Sequence, residues 1–251
     1  MENNELSRTN SVERLLAKGV HIPLFDIDGT LLADTNSAYD TGFSVAVKKV
    51  FNIDAKKREI DPSGKTDSQI FYEVLTSPNH NLSEKDVIEN LESLATIMAD
   101  YFIAHANEGT YTPLPGALSL FKEITRREIP IGVLTGNTEA VAWERLAQVG
   151  MKDFIEFGSF GNLALERRKL VPIAKERAEV KYGISSIPIE AFVIIGDTPA
   201  DIKCARDNNI KSIGIPTGNY SKKTLEESGA NLVIDSLEEI EKILNFLNIS
   251  S

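Results

Sequence analysis

The chain has 251 residues, 42% hydrophobic and 25% charged, enough for one large or two modest domains with a full core. Its formal net charge of -10 argues against nucleic acid or an anionic membrane as partner, and suits a site that carries a divalent cation. No run is long and apolar enough to span a bilayer, and the single cysteine, Cys204, allows no intrachain disulfide, which points to a reducing, cytoplasmic setting.

Residues 1–19 mix acids and arginines, unlike a secretory or transit leader, and predict a short helix over 11–18 with Ser11 as its cap. Residues 21–32 open apolar, as a buried parallel strand does, and end in Asp26-Ile27-Asp28-Gly29. A buried carboxylate is costly, and ligands in open α/β sheets sit at the carboxyl ends of strands, so these two acids read as chemistry. From 34 to 107 the spacing predicts helices and no strand: one over 36–51, a short one over 66–75, and a long one to about 105 that starts at a Ser83 cap. Within this block Lys56-Lys57-Arg58 reads as a solvated face, and Lys65 beside Gly64 as a candidate substrate contact. Tyr39, Phe43, Phe71, Phe102 and Trp143 fall on helical patterns and read as core, with those of the inserted block also placed to line a substrate space.

A Pro/Gly-rich hinge at 110–116 precedes a change of rhythm. Strands over 129–134, 154–157, 191–195, 212–215 and 232–234 alternate with helices over 117–127, 138–149, 170–182, 199–208, 222–228 and 237–247. The alternation predicts an α/β fold, a Rossmann-like parallel sheet with right-handed crossovers. Residues 1–33 and 112–251 are expected to form this core, and 34–111 an all-helical domain inserted over the strand ends.

Three predicted strands end in polar residues at one edge: Asp26 and Asp28; Thr135-Gly136-Asn137; Asp197 and Asp201. Acids converging there would repel one another unless a cation sat among them, and oxygen ligands of this kind suit Mg²⁺. The Thr135 hydroxyl and amides at the next helix start would hold phosphoryl oxygens, and a cation from Arg167, Arg168 or Lys169 would hold another.

On these residues the chain resembles the haloacid dehalogenase superfamily, in particular its phosphoglycolate phosphatase-like members with a helical cap. Asp26-Ile27-Asp28-Gly29-Thr30-Leu31 matches the first motif of the family, Thr135 the second, and Gly196-Asp197-Thr198-Pro199-Ala200-Asp201 the acidic fourth. The resemblance implies that Asp26 is the nucleophile and Asp28 the general acid and base. It implies Mg²⁺ held by Asp26, the backbone carbonyl of Asp28 and Asp197, with Asp201 supporting the shell or reaching it through water. Thr135, Gly136 and Asn137 would clamp the phosphoryl group together with a cation. The third motif departs from the family, which has a lysine there: in Glu166-Arg167-Arg168-Lys169 the register favours Arg167, with Lys169 as the alternative.

The resemblance implies a Mg²⁺-dependent phosphatase acting on a small phosphorylated metabolite through an aspartyl-phosphate. A β-phosphoglucomutase-like mutase and a non-catalytic binding protein of the same fold are the alternatives. Asp28 argues against a haloacid dehalogenase and a phosphonate hydrolase, neither of which needs an acid at that place. A monomer and a homodimer are equally open.

Overall fold

The computed structural model describes residues 2–249. Helix α1 (Glu2–Ala17) leads into β1 (Ile22–Phe25), whose four residues are all buried. Strands β4 (Gly132–Leu134) and β6 (Phe192–Gly196) are buried throughout in the same way, the mark of parallel strands covered on both faces. With β5 (Phe157–Ser159), β7 (Lys211–Gly214) and β8 (Leu232–Val233) they make one six-stranded parallel sheet in the order β5-β4-β1-β6-β7-β8. The chain winds outward from β1 on one side and then returns to its other side with β6. The strand order therefore reverses at β1, where an α/β sheet opens its ligand crevice.

One face of the sheet packs against α5 (Ala117–Arg126), α6 (Glu139–Gln148) and α10 (Ile240–Phe246) through Phe121, Ile124, Leu146 and Ile243. The other face packs against α1, α7 (Leu170–Tyr182) and α8 (Pro199–Asp207) through Val12, Ala174, Ala178 and Ala205. A short helix, α9 (Lys222–Glu227), precedes β8. The inserted block has a core of its own. There α2 (Ala38–Phe51), α3 (Asp67–Thr76) and α4 (Glu84–Ala104) enclose Phe43, Phe71, Val74, Leu94 and Met98, with the Phe43 and Phe71 rings stacked at 4.4 Å.

Three elements differ from the sequence reading. The strand expected over 154–157 runs instead over Phe157–Ser159, because Lys152–Phe154 forms a 3-10 turn ahead of it. The N-terminal helix begins at Glu2, so Ser11 lies mid-helix and donates to Glu128 rather than capping; Val12 and Leu16 are packed on the core, and tertiary burial sets the helix length. The hinge is not irregular: β2 (Leu32–Asp34) pairs antiparallel with β3 (Tyr111–Pro113), joining both crossings into one ribbon. Three residues a side are too few to show a period in sequence. Among the described residues no helix is long and apolar enough to cross a membrane.

Candidate active site

Asp26 follows β1 and Asp197 follows β6, and the register of these neighbours (Phe25 opposite Ile195) brings the two carboxylates to one edge. Asp201 joins them from the first turn of α8. Thr198 caps that helix, accepting from the Asp201 amide at 3.3 Å, while Asp201 Oδ2 accepts from the Thr198 amide (3.1 Å) and hydroxyl (2.7 Å). Asp26, Asp197 and Asp201 are all buried, each with an oxygen within 4.8 Å of the others. Arg167, 8% exposed, is their counter-charge: one nitrogen, Nη2, reaches Asp26 Oδ1 at 3.0 Å and Asp201 Oδ1 at 2.5 Å. Burial works against the guanidinium charge, but Asp201 and Asp26 outweigh it, and its pKa stands above the ordinary value.

When ionised, three carboxylates against one guanidinium leave a buried formal charge of two negatives. The cost is visible in the acids themselves. Burial pushes Asp26 up to about 7; Arg167 opposes the shift, and Asp201 and Asp28 add to it. Burial, then Asp26 and Asp201, push Asp197 up to about 8. Asp197 is wedged where a Cβ would not fit: one on Gly29 would stand 2.4 Å from its Oδ2, and one on Gly218 1.9 Å. An all-oxygen cluster short of two positive charges fits a hard divalent cation.

Beyond β4, Thr135 is 1% exposed, and its hydroxyl oxygen accepts from the Asn137 amide (3.3 Å) and side chain (3.0 Å). Both bonds use the oxygen's lone pairs, which leaves the hydroxyl proton to donate elsewhere. Asn137 also donates to Asp28 Oδ2 and accepts from Arg145 at 2.8 Å. Arg145, 3% exposed on α6, donates to both Asp28 oxygens at 2.6 and 2.7 Å and lies 3.0 Å from Asp34. The Asp28 carboxylate is thus engaged apart from the acidic cluster.

The inserted helices roof these strand ends over a cavity of about 530 Å³. Three backbone or hydroxyl contacts seat α3 on the core: Asp67 N to Gly136 O (2.8 Å), Ser68 N to Gly161 O (3.2 Å) and Thr66 Oγ1 to Leu165 O (2.8 Å). The buried Asp67 carboxylate completes the seat by accepting from the Thr138 amide (2.7 Å) and hydroxyl (2.9 Å) and from the Tyr39 hydroxyl. Tyr39 in turn faces two cations, Lys57 at 3.5 Å and Arg145 at 4.4 Å from its ring centroid.

A family model described as haloacid dehalogenase-like hydrolase matches residues 23–215. The chain belongs to this family of hydrolases. Two curated relatives are named phosphoglycolate phosphatase. That of Neisseria meningitidis is 26% identical over 86% of this chain and 90% of its own length; that of Pseudomonas fluorescens is 21% identical over 86% and 77%. Among solved structures, a CbbY mutant of Rhodobacter sphaeroides bound to xylulose-1,5-bisphosphate superposes with a TM-score of 0.65 at 17% identity, covering 88% of this chain and 96% of CbbY. A phosphonoacetaldehyde hydrolase-like protein of Oleispira antarctica gives 0.65 at 16% identity, covering 92% and 93%. At such identities these two likenesses concern the fold: a parallel α/β sheet with an inserted helical block.

In this hydrolase Asp26, Asp28, Thr135, Gly136, Asn137, Arg167, Asp197 and Lys65 line the cavity. Lys169 does not; it is exposed at the end of a 3-10 turn (Arg167–Lys169), because one residue of that turn faces inward and Arg167 takes that place. Lys65 is paired with Glu73 rather than aimed free into the cavity. Gly136 serves approach as much as binding, since a Cβ there would stand 2.1 Å from the Lys65 carbonyl. Asn137 spends its side chain on Thr135, Asp28 and Arg145. Several cavity or roof residues escaped the sequence reading; Tyr39, read as core placed to line a substrate space, lines the cavity with its hydroxyl on Asp67. Arg145 had a signal, a charge on the buried stripe Val141, Ala142, Leu146 of α6. Asp67 lay behind a helix cap. Lys57 was hidden in a charge run, yet it is buried and lines the cavity, whereas Arg58 beside it is exposed.

Proposed function

We propose that this hydrolase is a Mg²⁺-dependent phosphatase that removes the phosphoryl group of a small phosphorylated metabolite through an aspartyl-phosphate on Asp26. The observation that carries the reading is the clustering of a buried strand-end carboxylate, Asp26, with a fixed guanidinium and two further buried acids. Phosphoryl transfer asks mainly for positioning and charge stabilisation.

In this reading an Asp26 oxygen forms a bond to phosphorus as the ester P–O bond breaks. Asp28 gives a proton to the departing oxygen. It then takes one from a water, whose oxygen attacks phosphorus and frees Asp26. Arg167 Nη2 orients Asp26 and offsets charge on the phosphoryl oxygens, and Thr135 directs its free hydroxyl proton to them. Arg145 and Asn137 hold Asp28 in place. Asp26, Asp197 and the Asp28 carbonyl would hold Mg²⁺, with Asp201, whose oxygens are engaged by Arg167 and Thr198, acting through water. Bound there, the ion supplies the positive charge that the cluster lacks. The roof of α2 to α4 keeps bulk water from the reacting group.

The test is inorganic phosphate release from phosphoglycolate, sugar phosphates and nucleotides, with Mg²⁺ and with EDTA, for wild type and Asp26→Asn. Release that needs both Mg²⁺ and Asp26 supports the reading. Release that survives Asp26→Asn, or none from any compound, sinks it.

A further inference from the structure

Among the described residues five cations line the cavity: Lys57, Arg58, Lys65, Arg145 and Arg167. Four of them have a carboxylate within hydrogen-bond distance. Arg58 has Asp40 at 2.6 Å, Lys65 has Glu73, Arg145 has Asp28 at 2.6 Å, and Arg167 has Asp26 at 3.0 Å. Lys57 is the exception. It is 8% exposed, yet among the described residues no acceptor lies within hydrogen-bond distance of its ammonium. Its nearest carboxylate oxygen, on Asp67, is 4.0 Å away. That carboxylate is already engaged by Tyr39 and by the amide and hydroxyl of Thr138. What remains is the charge of that carboxylate at 4.0 Å, with no hydrogen bond, and the Tyr39 ring at 3.5 Å, which leaves the donors of the ammonium without an acceptor.

A buried cation that faces a cavity without an acceptor is set for an acceptor that arrives with the ligand. We propose that Lys57 binds a second anionic group of the substrate, a carboxylate or a second phosphate on the part that is not transferred. The inference rests on the phosphatase reading, in which the transferred phosphoryl group lies at Asp26 and Arg167. Lys57 belongs to the inserted roof and lines the cavity, reached from Asp28 only through Arg145 and the Tyr39 ring. A cavity of about 530 Å³ has room for both ends of such a molecule. The substrate class is therefore a phosphate monoester with an anionic tail, in preference to one ending in a neutral alcohol.

The test uses non-hydrolysable ligands, so it does not depend on turnover. Binding of phosphonoacetate and of its carboxyl methyl ester is measured by calorimetry in Mg²⁺ for wild type, Lys57→Met and Lys57→Arg; ethane-1,2-bisphosphonate and ethylphosphonate repeat the comparison for a phosphate tail. Wild type is expected to favour the charged member of at least one pair by about tenfold or more, the scale of a lost charge contact. Which pair shows it tells carboxylate from phosphate. Lys57→Met brings that ratio close to one, and Lys57→Arg keeps most of it. Lys57→Gln replaces the methionine variant if that one fails to fold. The proposal is overturned if wild type has no preference in either pair, if the preference survives Lys57→Met, or if that substitution weakens both members equally. Failure of the phosphatase reading shows separately, as absence of Asp26-dependent phosphate release.

Discussion

Arg145 Nη1 donates to both carboxylate oxygens of Asp28, while Nη2 of the same guanidinium lies 3.0 Å from Asp34. Asp28 is the proposed acid and base; Asp34 ends β2, half of the ribbon that joins the helical block to the core. One buried side chain on α6 thus ties the chemistry to the hinge.

Arg145→Lys is expected to lower kcat by about 100-fold with KM little changed, because a point charge cannot hold both Asp28 oxygens and Asp34 at once, and small misplacements of reacting groups cost on that scale. Arg145→Met additionally leaves the part-buried Asp34 without its partner, and should cost about 2 kcal/mol of stability. Steady-state kinetics and thermal melts check both. A lysine variant with wild-type kcat would show that Asp28 does not need this clamp.

Metal-free stability should fall as pH rises. Asp26 and Asp197 stand at about 7 and about 8 in the folded chain, above the ordinary carboxylate value of about 4 that they regain on unfolding. Between those limits the folded state holds more protons than the unfolded one, so stability declines with rising pH across roughly pH 4 to 8. Mg²⁺ competes with the same protons. The increase in Tm that Mg²⁺ brings over EDTA is therefore expected to grow from pH 5 to pH 8. An increase that is flat, or shrinks, across that range would count against a cation at these acids.

Arg167 meets Asp26 and Asp201 with a single nitrogen, and its other terminal nitrogen reaches the Gly64 carbonyl in the inserted block at 3.3 Å. Toward the acids it acts as a point charge rather than a fork, so a lysine nitrogen at that place would serve. Arg167→Lys is expected to keep activity within about tenfold, losing only the contact to Gly64. Arg167→Met should cost about 10² to 10³ in kcat, as loss of one charge-stabilising donor does. Equal losses in the two variants would mean that the fork geometry itself is required.

The strand-end acids were legible because each signal was local. A buried apolar run that stops at a carboxylate needs no knowledge of the fold, and Asp26, Asp197 and Thr135 all follow such runs. The roof was not legible, because its roles depend on which face of a short turn points inward. Lys57 and Arg58 are neighbours in one charge run, yet one is buried against Tyr39 and the other is 81% exposed at its side chain. Arg167 and Lys169 differ in the same way within one turn. The β2–β3 ribbon escaped for another reason: its pairing spans the whole inserted block, and no window of sequence contains both strands.

The seat of the roof can be tested through Gly136. Its carbonyl accepts from the Asp67 amide at 2.8 Å, and a Cβ on it would lie 2.1 Å from the Lys65 carbonyl. The obstacle is backbone, which cannot turn aside as a long side chain can. Gly136→Ala should therefore leave the sheet intact but hold α3 away from the core, breaking the contacts of Thr66, Asp67 and Ser68. The expected result is faster hydrogen exchange at the Asp67 and Ser68 amides, with exchange in β1 and β6 unchanged, and a fall in kcat of about tenfold or more as water enters the cavity. If exchange at Asp67 and Ser68 stays slow, this contact does not govern closure.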